Sequence, residues 1–364
     1  HEPGSTFKLV DLIAVLDDKK ADTSKIYDSK GGVIEYYGRK VRDSKPGGYG
    51  KISLARGFEL SSNTVLVQSV YDSYKNNPKQ FVDRINSYGL NKPLGLPIKG
   101  EGKPVIPQPG TNRWSGVALP WMAFGYGLSV TPLQTLTLYN AVANDGVMVK
   151  PIFVSEIKEW NKTIKKFDTQ VINPKICSQE TLDKVHAVLE NVVKKGTGSK
   201  LYSKDFSMAG KTGTAQVNYK DKSKLYYASS FVGYFPADEP KYSCIVVVHK
   251  PNVAAGYYGA DVAGPVFKRI AQKIFTDSPS TNHVKNIDAK VVSQEKNYAE
   301  YYKKVEKESN VVPNGKGMSG MDAVALVENS GLKVKVIGVG RVKKQSLTSG
   351  QAFNKNQTII IELS

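Results

Sequence analysis

The order of apolar and polar residues along the chain predicts a domain that combines helices with an antiparallel sheet. Residues 6–16 are apolar almost all round, which is typical of a helix buried in a core. Two runs rich in β-branched and aromatic residues, 227–235 and 242–250, flank a turn with two prolines and predict a β-hairpin. Further helices are expected over residues 131–145 and 262–275. Helices around a mostly antiparallel sheet indicate an α+β fold.

The pattern changes after residue 275, so the first domain is expected to cover residues 1–275. Residues 276–310 carry many charged and polar side chains and are interpreted as a linker, with a helical-looking stretch over 298–308. Residues 311–364 return to the composition of a folded module. The elements expected there are one helix and two strands, over residues 321–329, 332–339 and 358–363. This pattern predicts a small α+β module.

Length and composition limit the class of protein. The 364 residues suffice for two or three folded units, and a composition with 40% hydrophobic and 23% charged residues excludes wholesale disorder. No run of about eighteen apolar residues predicts a membrane span, and the first residues do not resemble a signal peptide. The two cysteines, Cys177 and Cys244, neither prove nor exclude one disulfide, and their spacing does not indicate a metal site.

The charge of the chain is strongly positive. It has 51 basic and 33 acidic residues, a formal net charge of +18. Such a charge is compatible with binding to nucleic acid, to an anionic membrane or to an anionic polymer such as cell wall. Because the lysines are scattered along the chain and do not form blocks, a solvated lysine-rich surface is the favoured interpretation.

Ser5 and Lys8 form an S-x-x-K motif where the first predicted helix starts. This spacing places a hydroxyl and an amine on one helical face. The positive end of the helix favours negative charge that develops on the serine. A buried lysine near another cation can lose its proton and act as a base toward Ser5. Taken alone, the motif also fits a serine that caps the helix and a lysine on the surface.

Ser61 and Asn63 form an S-x-N motif. The serine offers a hydroxyl for proton relay, and the asparagine offers an amide for a substrate peptide group. The same residues would also suit a helix cap or a turn, which is the simpler interpretation of this motif by itself.

A third motif precedes the predicted hairpin and consists of Lys211, Thr212, Gly213 and Thr214. The lysine and the hydroxyls can bind a carboxylate, and a backbone N–H at a strand edge can serve an oxyanion hole. The glycine is expected to let an extended ligand approach the strand. A phosphate loop is the rival interpretation. Neither this segment nor residues 196–200 matches G-x-x-x-x-G-K-[ST] between a strand and a helix, so phosphate binding is not favoured.

The three motifs occur in the order in which penicillin-binding proteins and serine β-lactamases carry them. The chain resembles the transpeptidase region of a class B penicillin-binding protein, followed by one PASTA module. Segments outside the motifs also carry the resemblance, namely residues 2–4, 127–134, 144–146, 257–259, 263–267, 336–338, 345–346 and 358–361. The resemblance covers all of the chain except the linker.

The resemblance implies a fold shared with serine β-lactamases and a D,D-transpeptidase that cross-links peptidoglycan stem peptides. Ser5 would attack the D-Ala-D-Ala carbonyl, Lys8 would be its base, and Ser61 would pass a proton to the leaving amine. The residues expected to bind the donor peptide are Asn63, Lys211, Thr212, Gly213 and Thr214. The backbone N–H groups of Ser5 and Thr214 would form the oxyanion hole. β-Lactams would acylate Ser5, and no metal or organic cofactor would be required.

Three other functions are possible on the same motifs. A D,D-carboxypeptidase would use water as the acceptor, and the sequence separates this activity poorly from transpeptidation. A class A β-lactamase would need a carboxylate in an E-x-x-L-N setting, and residues 64–210 contain no such string. A non-catalytic receptor or wall-binding protein is disfavoured because every motif residue is intact.

The resemblance also implies a location and partners. A membrane glycosyltransferase and division proteins would be partners, and nucleic acid would not. The domain would work at the extracytoplasmic face of the cell membrane, in the periplasm or cell-wall space. Because strands and an N-terminal pedestal are expected before Ser5, a preceding segment with a membrane anchor is expected as well. Residues 38–43 and 61–63 resemble division-type members and predict a septal role. The PASTA module is expected to pack against the catalytic domain or to dock a partner protein. Binding of the module to cell wall is the less favoured role.

Overall fold

The computed structural model describes residues 1–160, 162–219, 221–254, 256–277, 311–354 and 356–364. The chain divides into two compact units, His1–Pro279 and Ser280–Ser364. The predicted linker from residue 278 onward, with its helical-looking stretch over 298–308, lies outside the described residues. None of the helices in the described ranges is both long and apolar enough to cross a membrane.

The first unit is built from short strands and helices of up to four or five turns. Its helices are α1 (Lys8–Asp17), α2 (Leu54–Glu59), α3 (Asn63–Tyr74), α4 (Pro78–Ser87), α5 (Ala118–Met122), α6 (Pro132–Ala143), α7 (Gln179–Lys195) and α8 (Ala263–Asp277). Its strands are β1 (Ile26–Asp28), β2 (Val33–Tyr36), β3 (Arg39–Arg42), β4 (Lys51–Ser53), β5 (Met148–Val149), β6 (Glu156–Glu159), β7 (Lys162–Lys166), β8 (Val171–Asn173), β9 (Ala209–Val217), β10 (Tyr226–Phe235) and β11 (Tyr242–His249).

A three-stranded antiparallel sheet organises this unit, with the strand order β11-β10-β9. β10 and β11 form the predicted hairpin, and β9 is an edge strand that carries the third motif. Helices α6 and α8 both pack against β10 and β11, whereas α7 packs against β9. Helices around an antiparallel sheet confirm the predicted α+β class.

The middle strand, β10, is buried on both faces because its side chains alternate between two cores. Val232 and Tyr234 belong to the main core, together with most of α1. Phe231 and Phe235 point to the opposite face and pack in a smaller core with α8. All of residues 9–15 in α1 are fully buried, which explains why this helix is apolar almost all round.

The second unit contains one helix and a three-stranded sheet in its described residues. These elements are α9 (Gly320–Asn329), β12 (Lys333–Ile337), β13 (Val342–Gln345) and β14 (Thr358–Leu363). β14 lies in the centre, parallel to β12 and antiparallel to β13. The helix and two of the strands were predicted. The strand β13 was missed because its sequence, Val-Lys-Lys-Gln, has a single apolar residue, Val342, and therefore no alternating pattern.

The first unit contains elements that the sequence did not predict, among them α3, α4 and the short strands before α7. The helix expected from Thr6 begins at Lys8, because residues Gly4–Phe7 form a 3-10 turn ahead of it. The long amphipathic helix α7 was not predicted. Cys177 and Cys244, whose pairing the sequence left open, are both free thiols.

Candidate active site

Ser5 lies in the 3-10 turn that leads into α1. Gly4 has a φ of +58°, and its N–H donates to the carbonyl of Gly125 at 3.1 Å. A Cβ at Gly4 would be 3.2 Å from the Ala215 Cβ and 3.4 Å from the Thr214 carbonyl oxygen, so only glycine fits without strain. The turn therefore lies directly on the strand that carries the third motif.

The 3-10 geometry keeps Ser5 and Lys8 on one face. With three residues per turn, side chains at positions i and i+3 lie above one another, and the Lys8 N–H donates to the Ser5 carbonyl. No side-chain cap is present at Pro3 or Phe7, the residues that precede the turn and α1. Ser5 is thus not the helix cap that the simpler interpretation of the motif required, and Lys8 is not on the surface.

The side chain of Lys8 is fully buried and joins the first motif to the second. Its Nζ donates to the Ser61 carbonyl at 2.8 Å and to Asn63 Oδ1 at 2.6 Å, and it lies 3.2 Å from Ser61 Oγ. A neutral amine has two N–H donors and one lone pair, and the two carbonyl-type acceptors occupy both donors. The lone pair is then available to a hydroxyl.

Burial lowers the pKa of Lys8 from 10.5 to about 7. Taking the ammonium out of water is the dominant cause, and the negative charge of Asp43 opposes it. The negative charge of Asp11 opposes it to a smaller extent, and complete burial raises the pKa of Asp11 itself well above 3.8. Lys8 is therefore present as free base and as ammonium in comparable amounts near neutral pH.

Ser61 and Asn63 stand at the start of α3, but the residue that caps this helix is Ser62. The Ser62 Oγ accepts from the Val65 N–H at 3.2 Å. Ser61 has a φ of +57°, a conformation that costs a non-glycine residue about 1 kcal/mol. Asn63 is held at both ends of its amide, because its Nδ2 donates to the Arg42 carbonyl at 2.7 Å. The second motif is thus oriented toward Lys8 and is not used as a cap.

The third motif lies on β9, where Gly213 pairs with Ser230 and Thr214 pairs with Ser229 of β10. Lys211 is fully buried, and its Nζ donates to the Thr212 carbonyl at 3.1 Å. Burial, and after it the positive charge of Lys8, hold the pKa of Lys211 well below its usual value.

The two threonine hydroxyls of this motif are oriented by neighbours outside β9. Thr212 Oγ1 lies 2.7 Å from Thr197 Oγ1, and Thr214 Oγ1 accepts from the Gly259 N–H at 3.0 Å. Neither Thr197 nor Gly259 was a predicted site residue. Thr197 lies in a G-T-G segment, which is not by itself typical of any functional site. Its contact with Thr212 becomes visible only in the folded structure.

Gly213 is required for a reason other than ligand access. A Cβ at this position would overlap Ser230 Oγ and would lie 2.9 Å from Thr6 Cγ2. The space left by the missing side chain is therefore filled by the protein itself. This corrects the expectation that the glycine opens the strand to a ligand.

A cavity of about 1170 Å³ brings the motifs together. Five of the predicted site residues line it, namely Ser5, Ser61, Asn63, Thr212 and Thr214. The other three, Lys8, Lys211 and Gly213, are buried and do not line the cavity. The remaining lining includes an aromatic group, Trp121, Phe124, Tyr126, Tyr219, Tyr227, Tyr257 and Tyr258, and a basic group, Arg39, Lys40, Arg42 and Lys200. The structure thus brings the three motifs together at one cavity.

Comparison with known proteins identifies the family. Residues 1–272 match the penicillin binding protein transpeptidase domain. The chain belongs to the penicillin-binding protein transpeptidase family. Residues 310–364 match the PASTA domain, as the resemblance implied.

The relatives of this transpeptidase domain include named class B proteins. Stage V sporulation protein D of Bacillus subtilis is 29% identical over 100% of this chain and 54% of its own length. Peptidoglycan D,D-transpeptidase FtsI of Escherichia coli is 29% identical over 74% of this chain and 42% of its own length. The chain thus spans about half the length of the curated relatives that it matches.

Solved structures give the same family. Apo penicillin binding protein 3 from Mycobacterium tuberculosis has a TM-score of 0.67 at 27% identity, over 76% of this chain and 63% of that one. The D,D-transpeptidase domain of a peptidoglycan glycosyltransferase from Eggerthella lenta has a TM-score of 0.64 at 26% identity, over 75% of this chain and 66% of that one. Another structure of the mycobacterial protein is a complex with aztreonam.

Asp43 is a part of this transpeptidase site that the motifs do not reveal. Its carboxylate accepts from the Ser62 hydroxyl at 3.0 and 3.1 Å, from the Thr64 hydroxyl at 2.9 Å and from the Thr64 N–H at 3.0 Å. A carboxylate at the N-terminus of α3 also suits the helix dipole. Asp43 therefore fixes the segment that presents Ser61 and Asn63 to Lys8. Its separation from Ser62 is too long for a local pattern to show the contact.

Proposed function

We propose that this chain is the catalytic part of a peptidoglycan D,D-transpeptidase that forms a Ser5 acyl-enzyme and is a target of β-lactams. The convergence of three motifs on one cavity, with Lys8 Nζ bonded to both Ser61 and Asn63, carries the proposal. The names of the relatives, which include peptidoglycan D,D-transpeptidase and a penicillin binding protein complexed with ampicillin, support it.

Acylation begins with transfer of the Ser5 hydroxyl proton to the lone pair of Lys8 Nζ. The pKa of Lys8, lowered by burial to about 7, makes it a base at neutral pH. Ser5 Oγ then bonds to the carbonyl carbon of the penultimate D-alanine. The negative charge that forms on the carbonyl oxygen is stabilised by the backbone N–H groups of Ser5 and Thr214, and loss of one such donor typically costs about 3–4 kcal/mol.

Collapse of this intermediate breaks the bond between the carbonyl carbon and the amine of the terminal D-alanine. The proton held by Lys8 reaches that amine through the Ser61 hydroxyl, which lies 3.2 Å from Lys8 Nζ. Asn63 holds the donor amide, and Thr212 and Thr214 bind the terminal carboxylate, with the Thr212 carbonyl held by Lys211 Nζ. An amine from a second stem peptide then attacks the ester, passes its proton back along the same route and frees Ser5.

The carboxylates that line the cavity argue against a β-lactamase. They are Asp43 and Asp261, and each already has a partner. Asp43 binds the Ser62 and Thr64 hydroxyls, and Asp261 forms a 2.6 Å ion pair with Lys200. Because fast deacylation needs a carboxylate free to activate water, we expect the acyl-enzyme formed with penicillin to persist.

Product analysis tests the proposal against its alternatives. The protein is incubated with a peptide ending in D-Ala-D-Ala and with an acceptor amine, and the products are separated by mass. A transpeptidase gives the cross-linked product in amounts that rise with the acceptor, and Ser5→Ala gives none. Released D-alanine without any cross-linked product would indicate a carboxypeptidase. Rapid nitrocefin turnover would indicate a β-lactamase, and the absence of all products would indicate a binding protein.

We also propose an extracytoplasmic location, anchorage to the cell membrane and a role in septal wall synthesis together with a glycosyltransferase and division proteins. FtsI among the relatives and the PASTA domain support this assignment. Nucleic acid is not a proposed partner. Depletion of the protein should make rod-shaped cells filament, and swelling or rounding of the cells would contradict a septal role.

A further inference from the structure

Strand β9 pairs with another strand on one side only. In the sheet order β11-β10-β9 its inner edge bonds to β10, and no strand among the described residues lies along its outer edge. The Tyr227 carbonyl, opposite Gln216, accepts from the Lys250 N–H at 2.9 Å, on the side of β11. Because the backbone groups of alternate residues point to the same edge, those of Gln216 and Thr214 both point to the outer edge of β9.

The roles proposed for the third motif set the direction of the donor peptide along this outer edge. In the proposed mechanism the Thr214 N–H binds the reacting carbonyl of the penultimate D-alanine, and the terminal carboxylate lies at Thr212 and Thr214. The C-terminus of the donor therefore points toward Thr212, and its earlier residues extend toward Gln216, antiparallel to β9. The residue two positions before the penultimate D-alanine then stands opposite Gln216, about 7 Å further along the strand.

The Gln216 N–H is already bonded within the protein. It donates to the Tyr126 hydroxyl at 2.9 Å. A backbone N–H carries a single hydrogen, so a donor carbonyl at this position would have to displace the hydroxyl. Tyr126 also lines the cavity that contains Ser5, which places its side chain beside the path of the donor. The part of the outer edge that is open to a peptide therefore ends before Gln216.

Neighbouring residues hold Tyr126 in this position. The centroid of its ring lies 5.0 Å from that of Phe124 and 5.7 Å from that of Tyr219, and the second pair packs edge to face. The Tyr219 hydroxyl donates to Glu2 Oε1 at 3.2 Å, and the Gly127 N–H donates to the same oxygen at 2.8 Å. Glu2 belongs to the segment that leads to the nucleophile. The Tyr126 side chain is thus tied to the same segment as the nucleophile.

We propose that Tyr126 is a specificity-determining residue, which caps the outer edge of β9 at Gln216 and limits backbone recognition of the donor to its last three residues. The terminal D-alanine is held by its carboxylate, the penultimate one at Thr214, and the residue before them through its carbonyl at Asn63. The residue that precedes these three receives no hydrogen bond from β9, so the enzyme does not select for its carbonyl. The proposal rests on the proposed transpeptidase function and adds a limit of substrate recognition to it.

The experiment compares two donors that differ at this carbonyl. The first is an Nα-acetylated tripeptide that ends in D-Ala-D-Ala, so that its acetyl carbonyl stands opposite Gln216. In the second, an alkyl group of the same size replaces the acetamido group. For each donor, kcat/KM for release of the terminal D-alanine is measured with the wild type, Tyr126→Phe and Tyr242→Phe. Tyr242 is an exposed residue of β11 that does not line the cavity, so this control removes a tyrosine hydroxyl from another strand.

The readout is the ratio of kcat/KM for the acetylated donor to kcat/KM for the alkyl donor. In Tyr126→Phe the Gln216 N–H is free to donate to the acetyl carbonyl, so this ratio should be about threefold to tenfold higher than in the wild type, as expected for one neutral hydrogen bond. Tyr242→Phe should keep the wild-type ratio. An unchanged or lower ratio in Tyr126→Phe, or an equal rise in Tyr242→Phe, would overturn the proposal. Failure of the wild type to process either donor would instead overturn the proposed function.

Hydrogen exchange at the Gln216 amide, followed by NMR without substrate, tests the cap independently of activity. Loss of the Tyr126 hydroxyl should make this amide exchange several-fold faster in Tyr126→Phe than in the wild type. The Ala215 amide, which faces β10, should keep its rate and serves as the internal reference. Equal exchange of the Gln216 amide in the two proteins would overturn the cap.

Discussion

The lowered pKa of Lys8 predicts the pH dependence of acylation. Because burial lowers the pKa of this amine from 10.5 to about 7, about half of it is free base at pH 7. An ordinary lysine would have on the order of a thousandfold less free base at this pH. The rate constant for acylation by penicillin should therefore rise about tenfold per pH unit below the midpoint and level off about one unit above it.

The variant Asp43→Asn tests how a nearby negative charge shifts the pKa of Lys8. The negative charge of Asp43 raises the pKa of Lys8, so its removal should move the midpoint of the profile to lower pH. The variant should reach its plateau in more acidic solution than the wild type. Asp261→Asn is the matched control, because Asp261 also lines the cavity but is not among the charges that act on Lys8. Its midpoint should stay in place.

The assay is the second-order rate constant for labelling by a fluorescent penicillin between pH 5 and pH 9. Circular dichroism at each pH separates loss of the fold from loss of the base. A flat wild-type profile, or a midpoint near that of a free lysine, would refute the assignment of Lys8 as the base. A shift to higher pH in Asp43→Asn would refute the electrostatic argument.

Three further predictions concern the stability of the fold and the reactivity of its cysteines. Neither oxygen of Asp11 meets a hydrogen-bond donor among the described residues, and burial raises the pKa of this carboxyl. Between pH 3.8 and the raised pKa, the folded state therefore binds a proton that the unfolded chain has already lost. Stability is then lost toward high pH, and Asp11→Asn should raise Tm relative to the wild type at pH 8 but change it little at pH 3. In Gly213→Ala the new methyl would overlap Ser230 Oγ, so urea denaturation should show a loss of about 1–3 kcal/mol, and Ser230→Ala in addition should recover part of it. Cys177 and Cys244 are free, and burial raises the pKa of Cys177 to about 12, so thiol titration should find two thiols after denaturation, with Cys177 slow to react before it.

The sequence predicts those parts of the fold whose signal is local. The β10–β11 hairpin was predicted because its two strands are rich in β-branched and aromatic residues and flank a turn with two prolines, and α1 because it is apolar almost all round. The eight residues proposed for the site were predicted from three short motifs in a fixed order. The start of α1 was misplaced because the 3-10 turn depends on the tight contact between Gly4 and β9, which no local pattern records.

The rest of the site depends on contacts between segments distant in sequence. Asp43 orients Ser62 across a separation of 19 residues, and the Arg42 carbonyl orients Asn63 across 21. These contacts join separate elements, and their residue types are ordinary for a surface loop. The role of Gly213 was misread for the same reason, because Ser230 fills its space only after β9 pairs with β10.

Mass spectrometry of the penicillin adduct tests the central claim most directly. The wild-type protein should gain the mass of one intact penicillin, and digestion should locate it on the peptide that contains Ser5. Ser5→Ala should gain nothing, although it should keep the wild-type fold by circular dichroism. Adduct on Ser5→Ala, or on any other peptide of the wild type, would contradict the assignment of Ser5 as the nucleophile.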